Sequence, residues 1–345
     1  MKLIAPGVGW AMATGSRLLW TENGGTDWRD ITPPLEGIAD IFFIDTHKGW
    51  ATSKRNGSPP SDELQLDLAS TTDRARWSVT HVTLSLKDYE LSRDDVSGYK
   101  AGPISFVDPL HGWMGVQVEG QSMHNWWSFL LVTSDGGRTW HRAPRAPLLE
   151  DPEMLLVTPT YGWMVGDQDV PREKLYFTRD GAKSWKEVSL GAPKEILPAD
   201  QPTYDLPVFE DSKHGFEAVT YTGGGGVKSA AVLFATVDSG LTWNPDRILK
   251  NLEPGSVGET MQSAVTGSTW VTAAVLNHHP MLSTLGPGAT IDANIPAGTR
   301  LSGYFQASQL SFATPTQGWV LTVYGKLQST NDGGTTWTDI TPEPH

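Results

Sequence analysis

"LLVTSDGGRTWHRAP", residues 130–144, sets Thr133, Asp135, Gly137 and Trp140 at the spacing T-x-D-x-G-x-x-W. The stretch has relatives along the chain: "TENGGTDW" from Thr21 to Trp28, "TRDGAKSW" from Thr178 to Trp185, "TVDSGLTW" from Thr236 to Trp243 and "TNDGGTTW" from Thr330 to Trp337. A shortened copy, "TTDRARW", runs from Thr71 to Trp77, and "TLGPGATI" keeps Thr284 but has Gly286 for the Asp and Ile291 for the Trp. Ahead of each copy stands a ten-residue motif closing on an aromatic residue: Trp10, Trp50, Trp113, Trp163, Phe216, Trp270 and Trp319. "ISFVDPLHGW" and "LSFATPTQGW" show its form, an apolar run, a polar turn and the start of a second apolar run. That is the pattern of a strand, a tight turn and a second strand. The later Asp motif then joins a third strand to a fourth.

Seven copies of a four-strand unit, at about 49 residues each, are the arithmetic of a repeat architecture. The expected fold is all-β, a seven-bladed β-propeller of four-stranded antiparallel blades in one domain over 1–345. The expected blades are near 1–35, 36–85, 100–148, 150–192, 205–250, 258–300 and 305–345. Composition agrees, with 36 Gly, 24 Pro and 15 Trp but only 19% charged residues, and no stretch repeats apolar residues at helical spacing for three turns.

Charge and composition exclude several functions. The net charge of −13, with no basic cluster, argues against tracking a phosphate backbone, so nucleic acid is not expected. With no cysteine there are no disulfides, thiolate nucleophiles or cysteine-bound metals. No run of 18 apolar residues predicts a membrane span. "MKLIAPGVGWAMA" imitates a short signal peptide but fits the first copy of the repeat. The protein is expected to be extracytoplasmic and bacterial, with any leader absent from this chain, and a monomer.

The T/S-x-D-x-G-x-T-W element resembles the Asp-box, or bacterial neuraminidase repeat, of sialidases, xyloglucanases and sortilin-type receptors. The hairpin ending in GW is most similar to the photosystem II stability/assembly factor family and its bacterial relatives. That resemblance covers the whole chain and implies the fold, whereas one propeller frame serves both hydrolases and binding proteins. The sialidase likeness implies an arginine in an F/Y-R-I-P motif, which is missing, and none of the seven candidate innermost strands contains Arg. Xyloglucanases of this repeat pair two propellers. The assembly-factor likeness implies an arginine-bearing patch, and no comparable cluster occurs.

The turn residues read as scaffold: Thr21, Asn23, Trp28, Asp73, Trp77, Thr133, Asp135, Gly137, Trp140, Asp180, Trp185, Asp238, Gly240, Trp243, Asp332, Gly334 and Trp337. An Asp opening a tight turn accepts backbone N–H groups farther along it, Gly supplies positive φ, and Trp offers a large apolar face. An acid repeated around a ring cannot point every copy at one substrate.

Function is expected on the other face, where the spacing from hairpin aromatic to motif Thr varies between 11 and 21 residues, because loops on a rigid frame carry binding residues. The candidates there are Tyr89, Trp126, Trp127, Asp167, Asp169, Arg172, Tyr221 and His278. Adjacent Trp126 and Trp127 cannot share one side of a strand. Asp167 and Asp169 lack the rest of a calcium loop, and adjacent His278 and His279 point oppositely, so no metal or cofactor is expected. The "GGGG" run at 223–226 lacks the Lys-Ser/Thr ending of a phosphate loop. The functional expectation is a non-catalytic, assembly-factor-like propeller engaging a protein or glycan through this face. The alternative is a glycoside hydrolase of sialidase or xyloglucanase type, drawing two carboxylates from Asp62, Glu63, Asp94, Asp95, Asp167 and Asp169.

Overall fold

The computed structural model describes residues 1–13, 15–122, 126–143, 145–147, 149–167, 173–194, 196, 201–222, 229–252, 262–267, 269–276, 279–288, 290–292, 299–300 and 307–342. It is all-β apart from two short 3-10 helices, Leu86–Tyr89 and Arg93–Asp95. By its internal contacts the chain divides into two compact units, one of residues 31–189 and one of residues 1–30 with 190–345. Among the described residues, no helix is long and apolar enough to cross a membrane.

The 31–189 unit holds two sheets. One is a four-stranded antiparallel meander, Glu150–Leu156, Gly162–Asp167, Glu173–Thr178 and Lys186–Val188. The other is eight-stranded and contains two successive repeats. Strands Ile38–Phe43, Gly49–Asn56, Glu63–Thr71 and Ser78–Ser85 form the first, and Val96–Phe106, Gly112–Gly120, Trp126–Thr133 and His141–Arg142 the second. Lys54, Arg55 and Asn56 pair with Lys100, Tyr99 and Gly98 and join the two.

The other unit holds three four-stranded or derived meanders and one larger sheet. Lys2–Ala5, Val8–Ala13, Arg17–Thr21 and Arg29–Asp30 form the first sheet; Ala307–Phe312, Gly318–Thr322, Leu327–Thr330 and Thr338–Asp339 form the last. Neither takes a strand from the other, so the chain ends meet without strand exchange: the Leu3 N–H donates to Ser311 Oγ at 3.0 Å and Trp28 Nε1 donates to the Ile340 carbonyl at 3.1 Å. A six-stranded sheet is built on Gly215–Thr222, Ser229–Thr236 and Asn244–Leu252, and a further sheet on Gln262–Thr266, Thr269–Leu276, His279–Leu285 and Thr299–Arg300.

Seven separate four-stranded blades are therefore not what the chain forms. Five sheets stand as single blades, and the remaining strands lie in the one eight-stranded sheet. The reason is an unfilled edge. Ile38 begins its strand opposite Ser53 and the Lys54 N–H still reaches the Gly37 carbonyl at 3.1 Å, but the edge runs on past that point, and the eleven-residue strand Val96–Phe106 pairs with Lys54 to Asn56 there, as backbone polar groups require. The stretch at Thr284 also departs from expectation. Lacking the Asp and Trp that close the other turns, it leads instead to Thr290–Asp292, which pairs in parallel with Ile248 to Lys250 of the preceding sheet.

Six indoles are almost wholly buried, those of Trp20, Trp50, Trp113, Trp163, Trp270 and Trp319. Five of them close a ten-residue hairpin. Trp50 stacks on Phe106 with ring centroids 3.7 Å apart and planes 3° apart, and Trp113 meets Trp185 edge-on at 5.4 Å. Such ring pairs add about 0.5–1.5 kcal/mol each beyond the area they bury.

Candidate functional site

The T-x-D turns show where their acids are committed. Thr133 Oγ1 donates to Asp135 Oδ1 at 2.9 Å and accepts the Gly137 N–H at 3.1 Å. Asp135 Oδ1 also accepts the N–H groups of Arg138 and Thr139, and Oδ2 accepts the Thr139 hydroxyl at 2.6 Å. The same set recurs around Asp180, Asp238 and Asp332. Asn23 and Asp73 serve shortened versions. Donors converging on the ionised form hold these carboxyls low, at about 2 for Asp180, Asp238 and Asp332 and lower still for Asp135. The indoles of Trp140 and Trp337 donate to the Gly137 and Gly334 carbonyls at 3.1 and 3.0 Å, and that of Trp77 to Ile31 at 2.8 Å. Trp185 packs on Trp113, Trp243 on Phe209 at 6.2 Å, and Trp28 on Trp319 at 5.7 Å. The Gly240 N–H donates to Thr236 Oγ1 at 2.8 Å and that of Gly25 to Thr21 Oγ1 at 3.0 Å.

One further bond locks these turns to the hairpins. The residue after the Asp or Asn donates its N–H to a hairpin carbonyl in five repeats: Gly24 to Gly7, Gly136 to Leu110, Gly181 to Thr160, Ser239 to Lys213 and Gly333 to Thr316, at 2.8–3.0 Å. Two turns in register by one backbone bond cannot change length independently, which accounts for their uniformity.

On the variable side, the candidates separate. The strand Trp126–Thr133 turns Trp127 and Phe129 toward the buried cluster of Leu64, Leu66, Val96, Val116 and Leu131, while Trp126 is 45% exposed. Tyr89 lies on the same cluster and meets the Phe129 ring at 3.8 Å. The Arg142 guanidinium sits 4.5 Å above the Tyr89 ring and 5.9 Å from Phe129, held by a bond from Nη1 to the Asp88 carbonyl at 3.0 Å. Desolvation pushes the Tyr89 phenol up. Tyr221 is not with them: it is buried, and its hydroxyl donates to the Leu190 carbonyl at 2.8 Å, so burial raises its pKa too. Asp167 stands between Glu150 and Glu173 in strand register. Asp169, Arg172, His278 and the 223–226 glycines lie outside the described residues.

The loop acids are tied into local structure. Asp62 accepts the Arg93 N–H at 3.0 Å and lies 3.7 Å from Lys87 Nζ. Asp95 accepts both the N–H and the hydroxyl of Ser92, which lowers its pKa, and Asp94 pairs with Arg93 at 3.3 Å. Glu63 begins its strand opposite Ser85. Among the described residues, no group of three or more His, Asp or Glu side chains stands close enough to hold a metal ion.

Two constellations leave no signal in the sequence. Buried Asp67 accepts Arg55 Nη2 at 2.7 Å and lies 2.7 Å from His81 Nδ1, while Arg55 also pairs with Glu36. The second is a cavity of about 180 Å³ lined by Ala39, Asp40, Lys100, Pro103, Gln117 and Pro152. Asp40 Oδ1 and Oδ2 accept the N–H groups of Ile41 and Ile104 at 2.7 and 2.8 Å. Desolvation, with the charge of Asp40 as second cause, pushes the Glu153 carboxyl up.

No protein-family model and no curated protein matches the chain. Among solved structures, it is similar to YCF48 from Cyanidioschyzon merolae, at 16% identity over 92% of this chain and 90% of that one, with a TM-score of 0.53. It is similar to YCF48 bound to D1 peptide at 20% identity, over 88% and 81% of the two chains, with a TM-score of 0.49. A prolyl endopeptidase matches at 12% identity over 99% of this chain but 49% of its own, with a TM-score of 0.51. At these identities the likeness concerns fold alone, and the fold it supports is an all-β β-propeller.

Proposed function

We propose that this chain is a non-catalytic propeller of the Asp-box type that engages a protein partner through the variable face of the 31–189 unit. One observation carries the reading: among the described residues Trp126 is the one tryptophan left exposed, at 45%, at the start of the strand whose Phe129 meets Tyr89, itself under the Arg142 guanidinium. Aromatic residues and arginine supply most of the energy at protein interfaces. The turn acids are bonded within their own turns and stay ionised near neutral pH, so none of them is suited to serve as a general acid there. An extracytoplasmic location belongs to the same reading and rests on the complete lack of cysteine; fractionation of the native host tests it.

The functional test has two arms. The purified protein is expected to leave a panel of aryl glycosides, sialosides included, unhydrolysed; turnover abolished by removing one carboxylate overturns the reading. Peptides selected on the full chain from a displayed random library are expected to bind at least tenfold more weakly to Trp126→Ala or Tyr89→Ala. Undiminished binding to both variants removes this surface from the proposal.

A further inference from the structure

The outermost strands of the repeats are mostly short and charged. Arg29–Asp30, His141–Arg142, Lys186–Val188 and Thr338–Asp339 have two or three residues each, and the nine-residue Asn244–Leu252 is covered along Ile248 to Lys250 by Thr290–Asp292. Ser78–Ser85 is different. Its eight residues, "SVTHVTLS", pair one for one with residues 63–70 without a bulge, and it ends the eight-stranded sheet. It contains no proline, lysine, arginine or carboxylate, and Val79, Thr80, Val82 and Thr83 are β-branched. Short length, charge, proline, bulges and covering segments are what keep a sheet edge from pairing with another chain; this strand has none of them. Among the described residues, no backbone group is bonded to its outer side.

The direction of its backbone groups follows from two bonds. The Asp67 N–H donates to Ser53 Oγ at 2.8 Å, toward the strand Gly49–Asn56 on the far side. Asp67 and His81, which stand opposite each other, are therefore a pair without hydrogen bonds between them. The Leu86 N–H donates to the Asp62 carbonyl at 2.9 Å, so the even-numbered residues bond inward. Val79, His81, Thr83 and Ser85 then aim their N–H and carbonyl groups outward, along a stretch where Ser78, His81 and Thr83 are exposed. Such a row is a template for one more strand.

The strand complements itself. In antiparallel pairing about a twofold axis, facing residues share a side of the sheet, so the axis crosses the pair at a residue rather than between two. Placed at Val82, it sets Val79 opposite Ser85 and His81 opposite Thr83 of the second copy, and the reverse, which uses every outward group. Val82 then faces Val82 and Thr80 faces Leu84, so no like charges meet and the side chains make favourable cross-strand pairs. Past the strand ends the same alignment sets exposed Arg76 of one copy beside exposed Asp88 of the other, and the reverse. An axis at His81 would leave Ser85 without a strand partner and set two imidazoles side by side. We propose that this chain forms a twofold dimer by pairing Ser78–Ser85 with the same strand of a second copy, Val82 on the axis. Eight residues a side are fewer than the roughly 20–30 of a standard interface, so the dimer is reversible, and the monomer expected from the sequence is its dilute form. The pairing does not depend on the Trp126 surface.

Sedimentation equilibrium of the full chain between about 5 and 500 µM tests this, the range in which so small an interface assembles. Wild type is expected to become mostly dimeric at the upper end. Thr83→Pro removes an outward N–H, and Thr83→Lys adds a charge at an exposed position. Each is expected to weaken dimerisation at least tenfold with an unchanged circular dichroism spectrum, and the lysine variant decides the matter should the proline disturb folding. Because the chain has no cysteine, single-cysteine variants read the register by oxidative cross-linking. Val82→Cys is expected to give a covalent dimer, and Thr80→Cys, which lies off the axis, is not. The proposal is overturned if wild type stays monomeric at about 500 µM, if the folded Thr83 variants associate like wild type, or if Thr80→Cys cross-links while Val82→Cys does not.

Discussion

The six-membered ring of Trp113 covers the backbone of Gly162: a Cβ there would stand 2.5 Å from Cη2 and 2.8 Å from Cζ3. Trp319 lies over Gly9 in the same way. In the hairpins that carry a phenylalanine six residues before the glycine, the Phe ring takes that place, as Phe43 over Gly49 and Phe106 over Gly112, and Trp50 then stacks on Phe106. The recurrent Gly-Trp pair is thus a joint, its glycine receiving one ring while its tryptophan supplies another.

Gly162→Ala should lower stability by about 1–3 kcal/mol, the usual cost of forcing atoms into a filled site, because neither Trp113 nor the Leu155 carbonyl, 2.6 Å from the added carbon, has room to withdraw. Gly191→Ala, whose new carbon meets nothing within 4 Å, serves as the control. Urea unfolding of both variants measures the difference; equal midpoints would refute the joint.

Ala182 occupies, at φ 67°, the turn position that Gly137 fills at φ 90°. An L-residue pays roughly 1–2 kcal/mol for that conformation, so Ala182→Gly should stabilise the protein by up to about 1 kcal/mol after the entropy lost to glycine. Gly137→Ala should do the opposite, since its Cβ would meet Leu68 at 2.5 Å. Paired thermal melts in which both variants shift the same way would contradict this account.

Acid should loosen the turns. The carboxyls of Asp180, Asp238 and Asp332 are depressed from 3.8 to about 2 in the folded chain, so each binds protons more readily unfolded. Their stabilisation is complete above about pH 4 and disappears as pH falls through about 2. Hydrogen bonds, rather than distant charges, are the main cause, so salt should change this slope little. Urea midpoints between pH 5 and 2.5 provide the check, and replacing all three with Asn should flatten the profile.

Gln117→Leu should raise the stability of the protein by about 1 kcal/mol, since it replaces a buried amide with an unpaired oxygen by an apolar group of similar size. A loss of stability would show that the amide is structurally satisfied.

Local chemistry made much of this readable. Thr133, Asp135, Gly137 and Trp140 lie within eight residues, so the turn they form depends on bonds among neighbours, and its recurrence marked an all-β chain of short hairpins. The exposure of one indole of the Trp126–Trp127 pair also followed from strand alternation. Tyr221 shows the limit: a tyrosine beside a glycine-rich loop looks like a ligand platform, yet the carbonyl that accepts its hydrogen bond belongs to Leu190, thirty-one residues away.

By itself the sequence determined the turns, the uniform hairpins and the aromatic joints, because each is specified by residue types at fixed short spacings. Tertiary structure decided how many sheets those units make and where polar groups converge. Pairing of Lys54–Asn56 with Gly98–Lys100 depends on where the strand from Ile38 begins and leaves an edge open. The cavity holding Asp40, Lys100 and Gln117 arises from that same fusion, since backbone hydrogen bonding between strands is indifferent to side-chain identity and leaves little trace in the order of residues.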